Sequence, residues 1–374
     1  MFGIYVHIPF CLKKCDYCDF FSIPCDRAQV PEGDYLDALL KQMEREIAAH
    51  GLEGREVESV YFGGGTPSLM SPEFFARLMD SLRRRFQFGA DAEVSCEVNP
   101  KTADASWFDG ARRAGITRAS IGVQSFDDGL LEKLGRVHTA EAAMQAIAEA
   151  QDARFESVGI DLMFGIPGET IAVLEDDVRT AMTFQPQHIS AYQLTIEEGT
   201  PLALATGGAH PISDDELLGQ MRIVARMLAR GGWGRYEISN FAKPGFECRH
   251  NMNYWRYGEY LGLGAGATSF LSARRWTQVR DVAKYMKGMG EIAESEEIDV
   301  KTAMAEFCFL GLRTTDGIDA VDFERRFSRG FEDLYGDVER ELASDGLVLR
   351  SKGRIMLSAS GIELSNQVFE RFLP

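Results

Sequence analysis

The chain has 374 residues, enough for one large domain and a smaller one. Apolar and charged fractions of 45% and 26% are those of an ordinary globular protein and exclude a disordered or collagen-like chain. A formal net charge of −17 speaks against non-specific binding to nucleic acid or anionic lipid. No apolar run approaches the length that spans a bilayer, so the protein is not expected to be integral to a membrane. Met1 leads straight into an apolar strand with no cleavable signal ahead of it, and the expected location is cytoplasmic. Seven cysteines, an odd number with Cys25, Cys96, Cys248 and Cys308 scattered, fit free thiols better than a disulfide framework.

In chain order, short apolar runs alternate with amphipathic stretches. Strands are predicted at Ile4–Ile8, Val57–Phe62, Glu93–Val98, Arg118–Val123, Ser157–Phe164 and His188–Leu194. Helices are predicted between them, one of them opened by Ser71-Pro72-Glu73, with serine at the cap and proline at the first position. Six strand–helix units predict an α/β chain with an open partial parallel barrel over residues 1–235, whose chemistry gathers at the C-terminal strand ends; a doubly wound sheet would give the same alternation, which periodicity alone does not separate. Residues 236–300 are less regular and are expected to connect, with a short strand at Arg235–Ile238 and a loop carrying Cys248 to Trp255. Residues 301–374 give three helices, a hairpin-like pair and a last helix over Ile362–Leu373, an α+β winged-helix-like domain. That domain mixes acids with its arginines and shows no basic face, so nucleic acid is not an expected partner.

The densest chemistry is at the start, in Cys11-Leu12-Lys13-Lys14-Cys15-Asp16-Tyr17-Cys18. Three thiols this close need a metal or a disulfide to engage them. A structural zinc would need a fourth ligand such as His7 or Cys25, and the usual paired zinc spacings are missing. Three sulfurs alone leave one position of a four-iron cluster open. The run Gly63-Gly64-Gly65-Thr66-Pro67 after the second strand lets backbone approach a ligand closely, and no Lys-Ser/Thr pair makes it a phosphate loop. Gly262-Leu263-Gly264-Ala265-Gly266-Ala267 imitates a dinucleotide fingerprint, but no clean strand is expected before it.

The spacing C-x3-C-x-Tyr-C after a first strand resembles the radical S-adenosylmethionine superfamily. The resemblance implies a [4Fe-4S] cluster on Cys11, Cys15 and Cys18, with S-adenosylmethionine at the open iron and Tyr17 shielding the cluster. The local sequences around Glu97, Gln124, Arg136 and Asp161 look like the coproporphyrinogen dehydrogenase branch. Carried over by position, Tyr5, Gly64 and Glu97 would meet the cluster-bound S-adenosylmethionine. Gly65, Thr66, Gln124, Arg136, Asp161 and Thr195 match positions for a second one. Two features depart from that enzyme: Phe20 stands where it has a further cysteine, and the chain is expected to lack its N-terminal segment.

His250-Asn251-Met252-Asn253-Tyr254-Trp255 instead resembles the His-Asn-x-x-Tyr-Trp hallmark of the HemW-type heme chaperones. That resemblance implies heme as a further cofactor, with His250 as its contact. It also implies a heme-accepting protein and an electron donor such as flavodoxin or ferredoxin as partners. The alternative is an oxygen-independent coproporphyrinogen III dehydrogenase or another radical enzyme acting on a tetrapyrrole.

Overall fold

The structure, a computed structural model, describes residues 1–288 and 292–373. All six strands predicted for the core are present: β1 (Phe2–Ile8), β2 (Glu56–Gly64), β3 (Gln87–Val98), β4 (Arg118–Gln124), β5 (Ser157–Phe164) and β6 (His188–Gln193). They lie side by side in that order, each parallel to the next. One face of the strands carries Ile4, Val6, Ile8, Val60, Phe62, Ile121, Val123, Val158 and Ile160, all buried in the main core. The other face carries Tyr5, Ser59, Tyr61, Glu97, Ser120, Asp161 and Ser190. A parallel sheet packed on both faces would read as continuous apolar runs. Here the inner face is polar because the sheet curls around a cavity.

The helices α1 (Glu32–His50), α2 (Pro72–Arg85), α3 (Ala105–Arg113), α4 (Asp128–Lys133), α5 (Ala140–Asp152) and α6 (Ile171–Thr183) follow the strands. Ser71, Asp104, Asp127, Thr139 and Thr170 each accept a hydrogen bond from the backbone N–H three residues on. Each such cap contributes about 1 kcal/mol and fixes where a loop at the rim ends. Two further helices, α7 (Pro201–Thr206) and α8 (Asp214–Gly231), come after β6.

The sheet does not close, and residues 236–300 extend it at both edges. Beyond β6 come β8 (Asn240–Ala242) and then β7 (Gly234–Arg235), both antiparallel to their neighbours. The strand expected at Arg235–Ile238 instead ends at Arg235, and the chain turns after it where the Glu237 carboxylate accepts from Ser239 N and Asn240 Nδ2, at 2.8 and 2.7 Å. On the other side β9 (Glu259–Leu263) runs parallel to β1. The antiparallel strands β10 (Thr268–Leu271), β11 (Arg274–Gln278) and β12 (Ile292–Glu297) follow.

β9 corrects one expectation, since a strand does lead into the glycine run at 262–267. The run still lacks a dinucleotide context, because an antiparallel strand follows it rather than a helix. Its glycines serve packing: a Cβ on Gly264 would stand 2.5 Å from His7 O, and one on Gly266 would stand 2.7 Å from the Phe21 ring.

The C-terminal part has its own core, built on Phe307, Phe323, Phe331, Ile355 and Phe372. Helices Val300–Leu312, Ala320–Phe327 and Phe331–Ser344 pack on a three-stranded sheet of Ile318–Asp319, Arg354–Leu357 and Val348–Ser351. The last predicted helix is two short ones, Ala359–Glu363 and Ser365–Glu370. No described helix is long and apolar enough to cross a membrane.

Candidate functional site

The three cysteines sit where β1 leaves the sheet. Phe10–Cys11 pairs in parallel with Ile23–Pro24, which pins both ends of the loop that carries Cys15 and Cys18. The glycine run docks against the same backbone, with Gly65 N donating to Ile8 O and Thr66 N to Phe10 O, both at 2.8 Å. A Cβ on Gly65 would stand 2.8 Å from those two oxygens and 3.1 Å from Cys11 Sγ, so only glycine fits. Gly64, at φ +108°, lies over His7 with no room for a side chain. The glycines are therefore first a backbone clamp on the cysteine loop. Further support comes from Asp16, whose N–H donates to Leu134 O at 3.0 Å and whose carbonyl accepts from Leu202 N at 2.8 Å.

All seven cysteines are free thiols. Cys11 accepts a hydrogen bond from Thr66 Oγ1 at 3.3 Å, and Arg136 Nη1 stands 3.4 Å from Cys15 Sγ. Burial raises the Cys11 thiol and pushes Cys18 up to about 11. A bound metal would reverse this, because a coordinating thiol is deprotonated outright. Neither proposed fourth ligand of a zinc site is available. His7 is bonded through both ring nitrogens, to Tyr5 OH at 3.0 Å and Phe21 O at 2.8 Å, and the Cys25 thiol turns toward Asp26 O. Among the described residues no three His, Cys, Asp or Glu side chains converge on one ion position. The donor set fits a cluster with an open iron.

Below the cysteines a cavity of about 490 Å³ runs down the inside of the curled sheet. Cys11, Cys15, Tyr17, Cys18, Gly64, Gly65, Thr66, Glu97, Gln124, Arg136, Asp161 and Thr195 all line it. Glu97 accepts from Tyr61 OH at 3.0 Å and from Gly64 N at 3.2 Å. Burial, with Asp161 nearby, pushes its carboxyl up to about 7. Asp161 accepts from Ser120 Oγ at 3.0 Å and Ser190 Oγ at 2.7 Å, and burial raises it too. Gln124 accepts from Tyr192 OH and sits at φ +71°, beyond a bulge where β4 shifts register against β5. A non-glycine residue there costs roughly 1–3 kcal/mol, strain of the kind that collects at ligand sites. Arg136 also donates to Gly122 O at 2.6 Å, while its buried Nε has no partner among the described residues.

Two predicted residues are not brought to the cavity. Tyr5 lies behind Gly63 with its hydroxyl on His7. His250 belongs to a helix, α9 (Arg249–Trp255), not to the expected loop. It is 1% exposed at the lower end of the curled sheet, against Gly3, with Nδ1 2.8 Å from Ser59 Oγ and Nε2 2.9 Å from Tyr254 OH. It therefore offers no free nitrogen to a heme. The helix is held there by Glu93, whose carboxylate accepts from Arg249 N at 3.1 Å and His250 N at 3.3 Å. Of its motif, Asn251 faces the cavity, and Trp255 carries the Arg313 guanidinium 4.4 Å from its ring centre.

The sequence reading missed Tyr61, Arg118, Ser120, His188, Ser190, Tyr192 and Cys248, which also line the cavity. Their signal was the alternation of polar residues along apolar strands.

Comparison with known proteins settles the family. Residues 5–181 match the Radical SAM superfamily, and residues 298–364 match the HemN C-terminal domain. The chain is 35% identical to "Heme chaperone HemW" of Bacillus subtilis (strain 168), over 100% of this chain and 99% of that protein. It is also 35% identical to the protein of that name from Escherichia coli (strain K12), over 99% and 98%. The chain belongs to the HemW family. Coproporphyrinogen III oxidase (HemN) from Escherichia coli, a radical SAM enzyme, superposes on the chain with a TM-score of 0.84 at 25% identity, covering 99% of this chain and 89% of the enzyme. In this chain the segment His250–Trp255 closes the lower end of the curled sheet.

Proposed function

We propose that this protein is a heme chaperone: it carries a [4Fe-4S] cluster on Cys11, Cys15 and Cys18, binds S-adenosylmethionine beneath it, and passes heme to an acceptor protein. The observation that carries this reading is relatedness to HemW proteins along the whole chain, joined to three free thiols around one cavity. When bound, the cluster supplies an open iron and a source of single electrons, replenished by a donor of the flavodoxin or ferredoxin kind. The chain's own residues do the rest. Glu97 presents a carboxylate toward an ammonium group, Arg136 offsets negative charge at Cys15, and Gln124 and Asp161 hold polar groups below. Heme meets the mouth rather than His250: Phe20 lines the opening with 59% of its surface exposed, a flat apolar ring for a porphyrin face. The location we propose is the cytoplasm, where free thiols are kept reduced.

The second reading, decarboxylation of coproporphyrinogen, is favoured by the likeness to the Escherichia coli oxidase. One assay separates the two. Anaerobically reconstituted protein, supplied with S-adenosylmethionine and a reductant, is incubated with coproporphyrinogen III. The chaperone reading expects no protoporphyrinogen, and turnover to that product replaces it with the enzyme.

A further inference from the structure

The floor of the cavity holds groups for which cysteine-loop chemistry has no use. Arg118, on β4, is 3% exposed, and no carboxylate among the described residues lies within 4 Å of its guanidinium. Its Nη1 donates to Ser157 Oγ at 2.9 Å and Phe246 O at 3.3 Å. The nearby Glu93 is occupied in capping α9. Glu93 and Asp161 balance the Arg118 charge through space, but neither carboxylate bonds the guanidinium, which lines the cavity with donors to spare.

His188, on β6, stands close by and is 1% exposed. Its Nε2 lies 2.9 Å from Tyr236 OH, and that oxygen already accepts from Cys248 N at 3.3 Å. Nε2 is the one acceptor in reach of the Tyr236 hydroxyl among the described residues, and donation to it places the imidazole's own N–H on Nδ1. That Nδ1 is buried with no partner among the described residues. Burial and the Arg118 charge both keep the ring neutral.

Between the two lies Gly159 of β5. A Cβ built on it would stand 3.5 Å from Arg118 Nη2, 3.5 Å from His188 Nδ1 and 3.4 Å from Ser120 Oγ. The strand backbone there does not need glycine, since its φ is not positive. Without a side chain at Gly159, the Arg118 guanidinium and the His188 imidazole edge flank one point of the sheet beside the cavity that both residues line.

We infer that Arg118 and His188, which flank Gly159 at the floor of the cavity, form a subsite for one carboxylate of a molecule entering the barrel beneath the cysteine loop. Two fixed donors, one charged, match the two oxygens of a carboxylate. A phosphate dianion is disfavoured by Asp161 and Glu97, which line the wall above. The carboxylate has two sources. One is a propionate of a tetrapyrrole, which rests on the heme reading above, and the other is a free small carboxylic acid.

Gly159→Ala is the test, because its methyl group meets its neighbours at ordinary contact distances and comes between the two donors without breaking the fold. Full-length, cluster-reconstituted wild type and variant are titrated anaerobically with hemin and with hemin dimethyl ester. In parallel, thermal midpoints are measured with and without succinate. A propionate in the subsite gives wild type a preference for hemin over the ester of roughly tenfold or more, which the variant loses while still binding the ester. A free acid in the subsite gives no such preference, but succinate raises the midpoint of wild type and not of Gly159→Ala. If hemin does not bind at all, the chaperone reading fails and the succinate arm still reports on the subsite. A variant that keeps the hemin preference, or the absence of any preference together with equal succinate responses, overturns the inference and leaves the two donors to water.

Discussion

His250 Nδ1 lies 2.8 Å from Ser59 Oγ, across the inner face of β2. That contact, with the Tyr254 hydroxyl on the other nitrogen, makes the imidazole a fixed part of the barrel floor. Burial lowers it to about 3, so it is neutral throughout the physiological range. His250→Ala opens a hole beside Gly3 and leaves the Ser59 and Tyr254 hydroxyls without their partner. The expected cost is about 2–4 kcal/mol of folding stability, read by denaturant unfolding of the reconstituted protein. A variant as stable as wild type would contradict the locked position.

The glycine clamp gives a second prediction. In Gly65→Ala the new methyl group meets Ile8 O and Phe10 O at 2.8 Å and must push the cysteine loop away from β2. The overall fold is expected to survive, because between Cys11 and Ile23 the loop adds only the partly buried Leu12 and Phe21 to the main core. Iron content and visible absorbance after anaerobic reconstitution should fall to a small fraction of wild type while far-ultraviolet circular dichroism is unchanged. Normal cluster content in this variant would remove the clamp from the account.

Glu97 supplies a pH dependence. Its carboxyl titrates near 7 in the folded protein against an ordinary 4.5, chiefly because it is buried. Between those values the native state holds a proton that the unfolded chain has lost, so this group's contribution to stability falls as pH rises from 4.5 to 7. Glu97→Gln removes the penalty. Relative to wild type, both without S-adenosylmethionine, the variant should gain stability across that window by up to about 3 kcal/mol and then level off. A difference that does not change between pH 5 and pH 8 would show that Glu97 is ionised throughout.

The core strands were legible because their outer faces carry Ile, Val and Phe in alternation under amphipathic helices, as in Ile4, Val6 and Ile8 before Tyr35 and Leu36. The cluster loop was legible because three cysteines at close spacing have few chemical uses. β9 was hidden by Gly262 within it and Gly264 and Gly266 after it, which weaken any strand pattern; the last two let His7 and Phe21 approach. Ser120, Ser190 and His188 carry no signal singly. Only the register of β4, β5 and β6 brings them around Asp161 and Gly159. The burial of His250 was hidden for a related reason: it packs on Gly3, Ser59 and Tyr61, all far away in sequence. α9 looked like a loop because its seven residues are mostly polar and its N-terminus is capped by the distant Glu93 rather than by a neighbour.

The central claim is that a radical S-adenosylmethionine scaffold here handles heme. An anaerobic heme titration of the reconstituted protein, followed by Soret absorbance and then gel filtration, tests it most directly. The account predicts saturation near one heme per chain, with heme and about four irons per chain co-eluting with the protein. Heme that never saturates, or that separates fully from a protein still holding its cluster, would contradict it.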